Sequence, residues 1–527
     1  MKKLNRAVNA QRFQGKRWPY LCIGLFVFIL YAKCLWFGFT YLDDNVLVLQ
    51  NYPFLRNMAN IFAAFSQDIF RSHQTPDVYY RPVITISLML DAQVSGTSPF
   101  VYHLTNILLH LIGSLLVCHL FIRLDYPKPA AFCAGLFFAV NPLFTSAVAW
   151  IPGRNDTLMA IFSLGSFIWY LNFLKDAGRT KSLLLHLAFL GLALLSKENA
   201  LFLLPVIIYH YIFILGKRDF SSGGGRLMVG WFCVISVWFL LRNFGIKSPL
   251  SFDAFVLMGS LYRAVPAVLQ ILGKLLFPFN LSVMPTIEDT PLVYGFLAIA
   301  APGLVLGFSK GKRLSYIFFG AVWFLLFLAP SFMRPDKLAV GYFLEHRAYL
   351  PLVGFLIILL EVDFIKHINF HRFLPLAIFI LIIFYFSFKT FVYAEDFRDR
   401  LNFYESAVRS SPSLPLAHRN LGAMYYLDGR IQKAEQEFKE ALKINPYEPM
   451  ANNNLGLIYM SKARFSEAEE AFLRELSFNP DYDDANFNLG LLYYQQGRIK
   501  EARQLWERTI EFNPDYKDAD EALERIR

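Results

Sequence analysis

Long apolar runs separated by short polar loops fill the chain from Trp18 to about Tyr393, and a charged, amphipathic pattern takes over after that. The apolar runs fall near 18–37, 101–122, 130–150, 156–174, 182–196, 199–215, 226–242, 291–308, 314–332, 347–362 and 373–392. A helix needs roughly 20 apolar residues to cross a bilayer. These runs lie near that length, with 182–196 the shortest, and they predict about eleven crossings. The stretch 261–278 carries Arg263, Gln270 and Lys274 among its leucines and reads as an amphipathic helix lying at the interface.

Beyond Tyr393 the pattern repeats. Pro412, Pro446, Pro480 and Pro514 are spaced by 34 residues, as are Gly422, Gly456 and Gly490; Tyr425, Tyr459 and Tyr493; and Ala434, Ala468 and Ala502. Phe438, Phe472 and Trp506 share one further register. Paired helices that bury their faces only by stacking give this period, and 34 residues is the tetratricopeptide repeat. Glycine allows close helix approach, the aromatic fills the gap, and proline ends the second helix. The predicted fold class is therefore all-α: a polytopic membrane helix bundle followed by a repeat superhelix. Its parts are a basic N-terminus (1–18), a multi-span domain (19–393) with a large loop (39–100), and a repeat domain (394–527). The repeats cover about 415–448, 449–482 and 483–516, after a half-repeat at about 395–412. Asn420, Asn454 and Asn488 also recur at 34. On the first helix of each repeat they are expected to face the concave groove, where an amide can donate to and accept from a peptide backbone; the alternative is a position where asparagine is merely frequent.

Charge fixes the expected topology. Only 17% of residues are charged, against about 25% in soluble proteins. The net charge of +10 comes from basic residues in short loops, which is the positive-inside pattern and not a nucleic-acid surface. Residues 1–18 carry Lys2, Lys3, Arg6, Arg12, Lys16 and Arg17 without an acid, so the first span reads as a retained signal-anchor with a cytoplasmic N-terminus. Arg123/Lys128, Lys175/Arg179/Lys181, Lys217/Arg218/Arg226, Lys310/Lys312/Arg313 and Lys366/Arg372 then alternate with the large loop, provided 261–278 does not cross. An odd number of crossings places the repeats outside the cytoplasm. Compact loops favour a bacterial inner membrane. All five cysteines lie in apolar segments, with neither a disulfide framework nor zinc spacing.

Candidate chemistry gathers on the side away from the basic loops. Asp43 and Asp44 stand where the first span ends, suited to take a proton or to hold a divalent metal; the plainer reading is a loop start or helix cap. Arg81, Arg154, Lys197 and Arg347 lie on that same side, where positive-inside topology does not explain them, and charges at a membrane boundary are costly without a purpose. Lys197–Glu198 also reads as a local ion pair easing a tight turn, and Glu345–His346–Arg347 as an interfacial anchor. His103 and His110, seven apart on one helical face, read as hydrogen-bonded inside the bundle. No Walker loop, dinucleotide fingerprint or Ser-His-Asp constellation is present. A nucleotide-sugar donor would need a soluble cytoplasmic domain, and its absence points to a lipid-linked donor.

Seven motifs carry a resemblance over nearly the whole chain. They are Tyr41-Leu42-Asp43-Asp44-Asn45, Tyr80-Arg81-Pro82-Val83, His103-Leu104-Thr105-Asn106, Asn141-Pro142, Trp150-Ile151-Pro152-Gly153-Arg154-Asn155-Asp156, Ser196-Lys197-Glu198 and Glu345-His346-Arg347-Ala348-Tyr349-Leu350-Pro351. In order and position the chain resembles the transmembrane and tetratricopeptide-repeat-containing protein family, related to protein O-mannosyltransferases of the C-type glycosyltransferase superfamily. The resemblance implies transfer of a sugar from a polyprenyl-phosphate carrier to an acceptor on the outer face, such as a protein Ser or Thr hydroxyl. It implies an acidic residue of the first loop as base or, in some branches, metal ligand, hence Asp43 or Asp44. The related enzymes have Asp-Glu where this chain has Asp-Asp. Donor phosphate contacts fall on Arg81, Arg154, Lys197 and Arg347; further substrate contacts on Tyr80, His103, Asp156, Glu198, Glu345 and His346. The competing expectation is a non-catalytic membrane scaffold recruiting partners of envelope or polysaccharide assembly through its repeats. A transporter ranks lower, since neither inverted repeats nor paired broken helices are evident.

Overall fold

The computed structural model is built of helices, most of them within the two patterns above. The structure describes residues 17–70, 79–175, 179–217, 224–246, 254–332 and 342–526; the basic N-terminal segment lies outside them. All extended elements among the described residues are helical. The chain forms two units, one of residues up to Val283 with Thr290–Arg400, the other of Met284–Asp289 with Leu401–Arg527.

The first unit contains α1 (Trp18–Tyr31), α2 (Pro82–Ser95), α3 (Pro99–Arg123), α4 (Lys128–Ala139), α5 (Thr145–Ala149), α6 (Arg154–Lys175) and α7 (Thr180–Ser196). It continues with α8 (Leu203–Tyr209), α9 (Gly224–Gly245), α10 (Ala254–Leu276), α11 (Val293–Phe308), α12 (Leu314–Leu328), α13 (Pro351–Leu359) and α14 (Phe373–Ala394). Among the described residues six helical segments are long and apolar enough to cross a membrane, or seven if the pair α4 and Pro142–Ala149, bent by 47°, is one broken span. The break follows from Pro142, which has no N–H to donate, and Asn141 caps the turn by accepting from Leu143 N at 3.2 Å.

Two expected segments differ. The run 347–362 holds only the nine-residue α13, because a 3-10 turn at Glu345–Ala348 precedes it and Glu361 ends it. Glu361 is wholly buried, bonded to Arg313 at 2.6 Å and Lys366 at 3.0 Å. Nine residues rise about 14 Å, about half of what a bilayer core needs. The expected interfacial helix 261–278 lies within α10, whose Gln270 and Lys274 are buried in the protein, with Lys274 paired to Glu345 at 2.5 Å. Gln270 and Lys274 thus face partners inside the fold in place of headgroups, while Arg263 is exposed.

Backbones meet where glycines allow it. A Cβ on Gly320 of α12 would strike the Gly354 carbonyl of α13, and one on Gly354 would strike that of Gly320. Small residues at helix crossings permit this approach, where van der Waals packing drives association in lipid.

The second unit is a stack of helix pairs. After α15 (Arg400–Ser410) come α16 (Pro415–Leu427) with α17 (Ile431–Ile444), α18 (Ala451–Ser461) with α19 (Phe465–Phe478), and α20 (Asp483–Gln495) with α21 (Ile499–Phe512), closed by α22 (Lys517–Arg525). The segment 284–289 joins this unit: Ser413 Oγ donates to Asp289 Oδ2 at 2.6 Å. The repeating glycines sit against the repeating aromatics, and a Cβ on Gly422, Gly456 or Gly490 would lie 2.9, 2.5 or 2.5 Å from Phe438, Phe472 or Trp506. Asn420, Asn454 and Asn488 are half-buried. Asn420 accepts from Arg419 at 3.0 Å, and Asn488 donates to Asn453 at 3.0 Å.

Overpacking such a contact costs roughly 1–3 kcal/mol. Gly456→Val is therefore expected to lower the urea midpoint at which residues 401–527 of the intact chain become cleavable in pulse proteolysis, with Gly456→Ala intermediate. An unchanged midpoint for both would show that Phe472 does not fill this gap.

Candidate functional site

The loop after the first span is held in an uncommon backbone shape. Tyr41 and Asp43 both have positive φ, 61° and 67°, a left-handed conformation that costs an L-residue roughly 1–2 kcal/mol. Asp44 offsets that cost. Its carboxylate, 1% exposed, accepts from Thr40 N and Tyr41 N at 2.7 Å each and from Thr40 Oγ1 at 3.0 Å. Burial pushes the Asp44 carboxyl up to about 7, against the downward pull of the Thr40 and Tyr41 donors. The two aspartates thus differ: Asp44 is buried and holds the turn, while Asp43 is half-buried, and its carbonyl accepts from Leu47 N at 2.8 Å.

Trp150 connects this loop to the cations. Its indole N–H donates to Leu42 O at 2.8 Å, and its ring meets His346 at 5.4 Å between centroids. The Trp150–Gly153 turn folds back so tightly that a Cβ on Gly153 would strike the Ser146 carbonyl. Asn106 clamps it, its amide within 3.0–3.3 Å of the carbonyls of Val148, Trp150 and Ile151.

Behind Trp150 lies a compact charge cluster. Asp156 receives Lys197 Nζ at 2.7 and 2.9 Å and faces His346 Nε2 at 3.5 Å; Ser146 Oγ lies 3.2 Å from His346 Nδ1. Arg81, on the edge of α2, pairs with Glu198 at 3.2 Å and stacks on Tyr79 at 4.7 Å. Pro82 fixes the exit from Arg81, since the residue before proline avoids helical angles. Arg347 donates to Ser331 O and lies within electrostatic reach of Asp156 and Lys197. Three cations (Arg81, Lys197, Arg347) thus gather with two carboxylates (Asp156, Glu198). A dianionic or monoanionic phosphate entering there would meet fixed donors already oriented.

Other expected residues serve the frame. Arg154, expected on the donor phosphate, is fully buried and donates to Asp91 at 2.6 Å, Ser87 at 2.8 Å and the Tyr102 carbonyl at 2.9 Å. Burying a guanidinium this fully is costly unless a carboxylate pairs with it, and Asp91 does so. Tyr80, expected at the substrate, is 2% exposed and donates to Phe65 O at 3.0 Å. Glu345 is bound by Lys274, by Ser282 N at 3.2 Å and by Tyr393 OH at 3.3 Å. His103 lies 3.4 Å from Gly38 O and so bears on the loop, while His110 bonds Tyr349 OH and Ala139 O inside the bundle. Asp91 and Lys274 were not singled out as partners; a lone acid within the apolar run of α2 was the available signal for the first.

The aspartate pair does not by itself make a divalent-metal site. Asp44 spends its oxygens on three donors, whereas Ca²⁺ takes six to eight oxygen ligands and Mg²⁺ six. No group of three or more His, Cys, Asp or Glu residues suited to a metal occurs among the described residues.

Asp44→Ala leaves two buried N–H groups without an acceptor, at about 1–3 kcal/mol each, so the Thr40 and Tyr41 amides should lose hydrogen-exchange protection. The raised Asp44 pKa also predicts a sign. Its contribution to loop stability is full below its ordinary value near 3.8 and is lost as pH rises through about 7. Protection of residues 40–47, corrected for intrinsic exchange, should therefore decline between pH 4 and 7 and flatten above; a flat profile in the wild type would refute this.

The family model for dolichyl-phosphate-mannose-protein mannosyltransferase matches residues 80–241, which include Arg81, Asp156 and Lys197 but not Asp43 or Asp44. Tetratricopeptide-repeat models match 415–448 and 453–517. A protein O-mannosyl-transferase of Caenorhabditis elegans is 27% identical over 453 residues, which is 82% of this chain and 63% of that one. Protein O-mannosyl-transferase TMTC1 of Homo sapiens is 31% identical over 216 residues, 37% of this chain and 24% of that one. TMTC4 of Mus musculus is 26% identical over 235 residues, 40% of this chain and 31% of that one. The chain thus spans less than two thirds of the length of each of these relatives. A mannosyltransferase-type membrane segment followed by tetratricopeptide repeats in one chain, with relatives named protein O-mannosyl-transferases, supports a likeness to the transmembrane and tetratricopeptide-repeat-containing O-mannosyltransferases.

Proposed function

We propose that the protein is an inverting membrane glycosyltransferase that moves a hexose from a polyprenyl phosphate to a Ser or Thr hydroxyl of a protein. The names of its relatives favour mannose. The observation that carries this reading is the bridge through Trp150, which ties the Asp43–Asp44 loop to the His346 ring and so to the cluster of Asp156, Lys197 and Arg347. In this reading the N-terminus is cytoplasmic, the membrane is a bacterial inner membrane, and site and repeats lie outside.

The acceptor oxygen attacks the anomeric carbon as the bond from that carbon to the phosphate oxygen breaks. The hydroxyl proton passes to a loop carboxylate, and the polyprenyl phosphate leaves with its electron pair. Asp43 is the base in this reading, and Asp44 holds the turn that presents it. Arg81, Lys197 and Arg347 meet the charge that develops on the leaving phosphate, with Asp156, Glu198 and His346 setting their positions. The repeats bring the acceptor, with Asn420, Asn454 and Asn488 offering backbone contacts along the groove.

General-base removal typically costs 10²–10⁴-fold in rate. Asp43→Asn should therefore lower kcat for transfer of labelled mannose from polyprenyl-phosphate mannose to a Ser/Thr peptide by roughly that factor, with donor KM little changed, whereas Arg81→Ala should act mainly on donor KM. Full activity in Asp43→Asn, in Asp44→Ala and in the double variant would leave the membrane-anchored scaffold as the function.

A further inference from the structure

In the repeat unit one position departs from the period. His418 of α16 is matched 34 residues on by Asn452 and again by Asn486, and all three are buried. Its partner on α17, Glu437, is matched by Ala471 and Leu505. The third repeat shows what the position does: Asn486 donates to the carbonyl of Pro480, six residues back, at 3.1 Å. His418 repeats that bond, with Nε2 3.2 Å from the Pro412 carbonyl, and adds a second, with Nδ1 2.7 Å from Glu437 Oε2. The ionisable ring and the carboxylate therefore occur together in the first repeat, where the later repeats have an amide and an apolar residue at the same two places.

These two bonds fix the proton count. A carbonyl oxygen only accepts, so Nε2 carries a hydrogen, and a carboxylate at 2.7 Å asks for one on Nδ1 as well. A neutral imidazole has a single N–H. Loss of the second proton leaves either Pro412 or Glu437 without its donor. Burial opposes charge on the ring, but the Glu437 carboxylate, the Pro412 carbonyl and, at longer range, Glu440 hold its pKa above the usual 6.5. Other charged groups around α16 have partners or face water. Asp289 accepts from Ser413, Glu405 of α15 accepts from Tyr425 OH at 2.9 Å, and Arg409 of α15 is exposed. Arg419, next in the chain, reaches Glu448 at 3.4 Å and the Pro449 carbonyl at 3.2 Å, so it ties the first repeat to the start of the second.

We propose that His418 and Glu437 form a proton-operated latch on the first repeat, closed while the ring is an imidazolium and released when it becomes neutral. Release frees the turn at 411–414 and the start of α16, and through Arg419 it slackens the junction with the second repeat. The third repeat, built with an amide at this position, does not respond. A histidine whose folded pKa is raised contributes stability that is whole below its ordinary value near 6.5 and is lost as pH rises through the raised value. The latch is independent of whether the membrane unit transfers a sugar.

The test is hydrogen exchange of the intact chain in nanodiscs, corrected for intrinsic rates, from about pH 6 to about pH 9. Amides of 414–422 and 434–441 are expected to open about tenfold more at the upper end, the order of one charge-assisted hydrogen bond, while those of 482–490 stay level. His418→Asn, the amide of the later repeats, should remove the pH dependence and keep the repeat folded. Glu437→Gln should move the transition to lower pH, and it decides the matter should His418→Asn unfold the repeat. A flat profile in the wild type overturns the latch. So does an unchanged transition in Glu437→Gln or in a folded His418→Asn, or an equal rise in the third repeat.

Discussion

A lysine and an aspartate sharing a dry position, Lys197 on Asp156 at 2.7 Å, hold the membrane unit's site together. Taking two ions out of water costs several kcal/mol each, and only close geometry with further polar partners repays it. Here the partners are the site. Asp156 also faces His346, which carries the Trp150 ring; Lys197 stands at the break between α7 and the turn that presents Glu198 to Arg81. With either member of the pair gone, an unpaired charge would remain buried, and three distant stretches of chain would lose their common point.

The repeat architecture was fully legible, because a 34-residue period is written in residue types that each have one packing task. Gly456 against Phe472 is the same contact in sequence and in space. The membrane part was legible as apolar runs but not as a count of crossings, since composition does not distinguish a span from a short buried helix such as α13. Polar residues of α10 suggested an interface for the same reason: amphipathicity tells that a partner is polar, not whether it is lipid or protein.

The candidate site was legible as a set of motifs, and less so in the division of labour within them. Residues 43–44 looked equivalent; the distinction came from which carboxylate meets the Thr40 and Tyr41 N–H groups, which depends on the path of the turn. Arg154 and Arg81 looked alike as boundary arginines. What separates them is Asp91, an acid on another helix that turns Arg154 inward. Such pairings are long-range, and a single sequence does not record them.

The backbone contact between Gly320 and Gly354 has a mechanical consequence. A helix of nine residues has no hydrophobic length of its own to match to lipid, so its depth is inherited from the longer neighbour it touches. Arg347 sits just ahead of that short helix, and its height is thereby referenced to protein and not to the bilayer. Membranes that differ in thickness tilt or stretch single spans, but they leave this cation at a fixed level beside its partners.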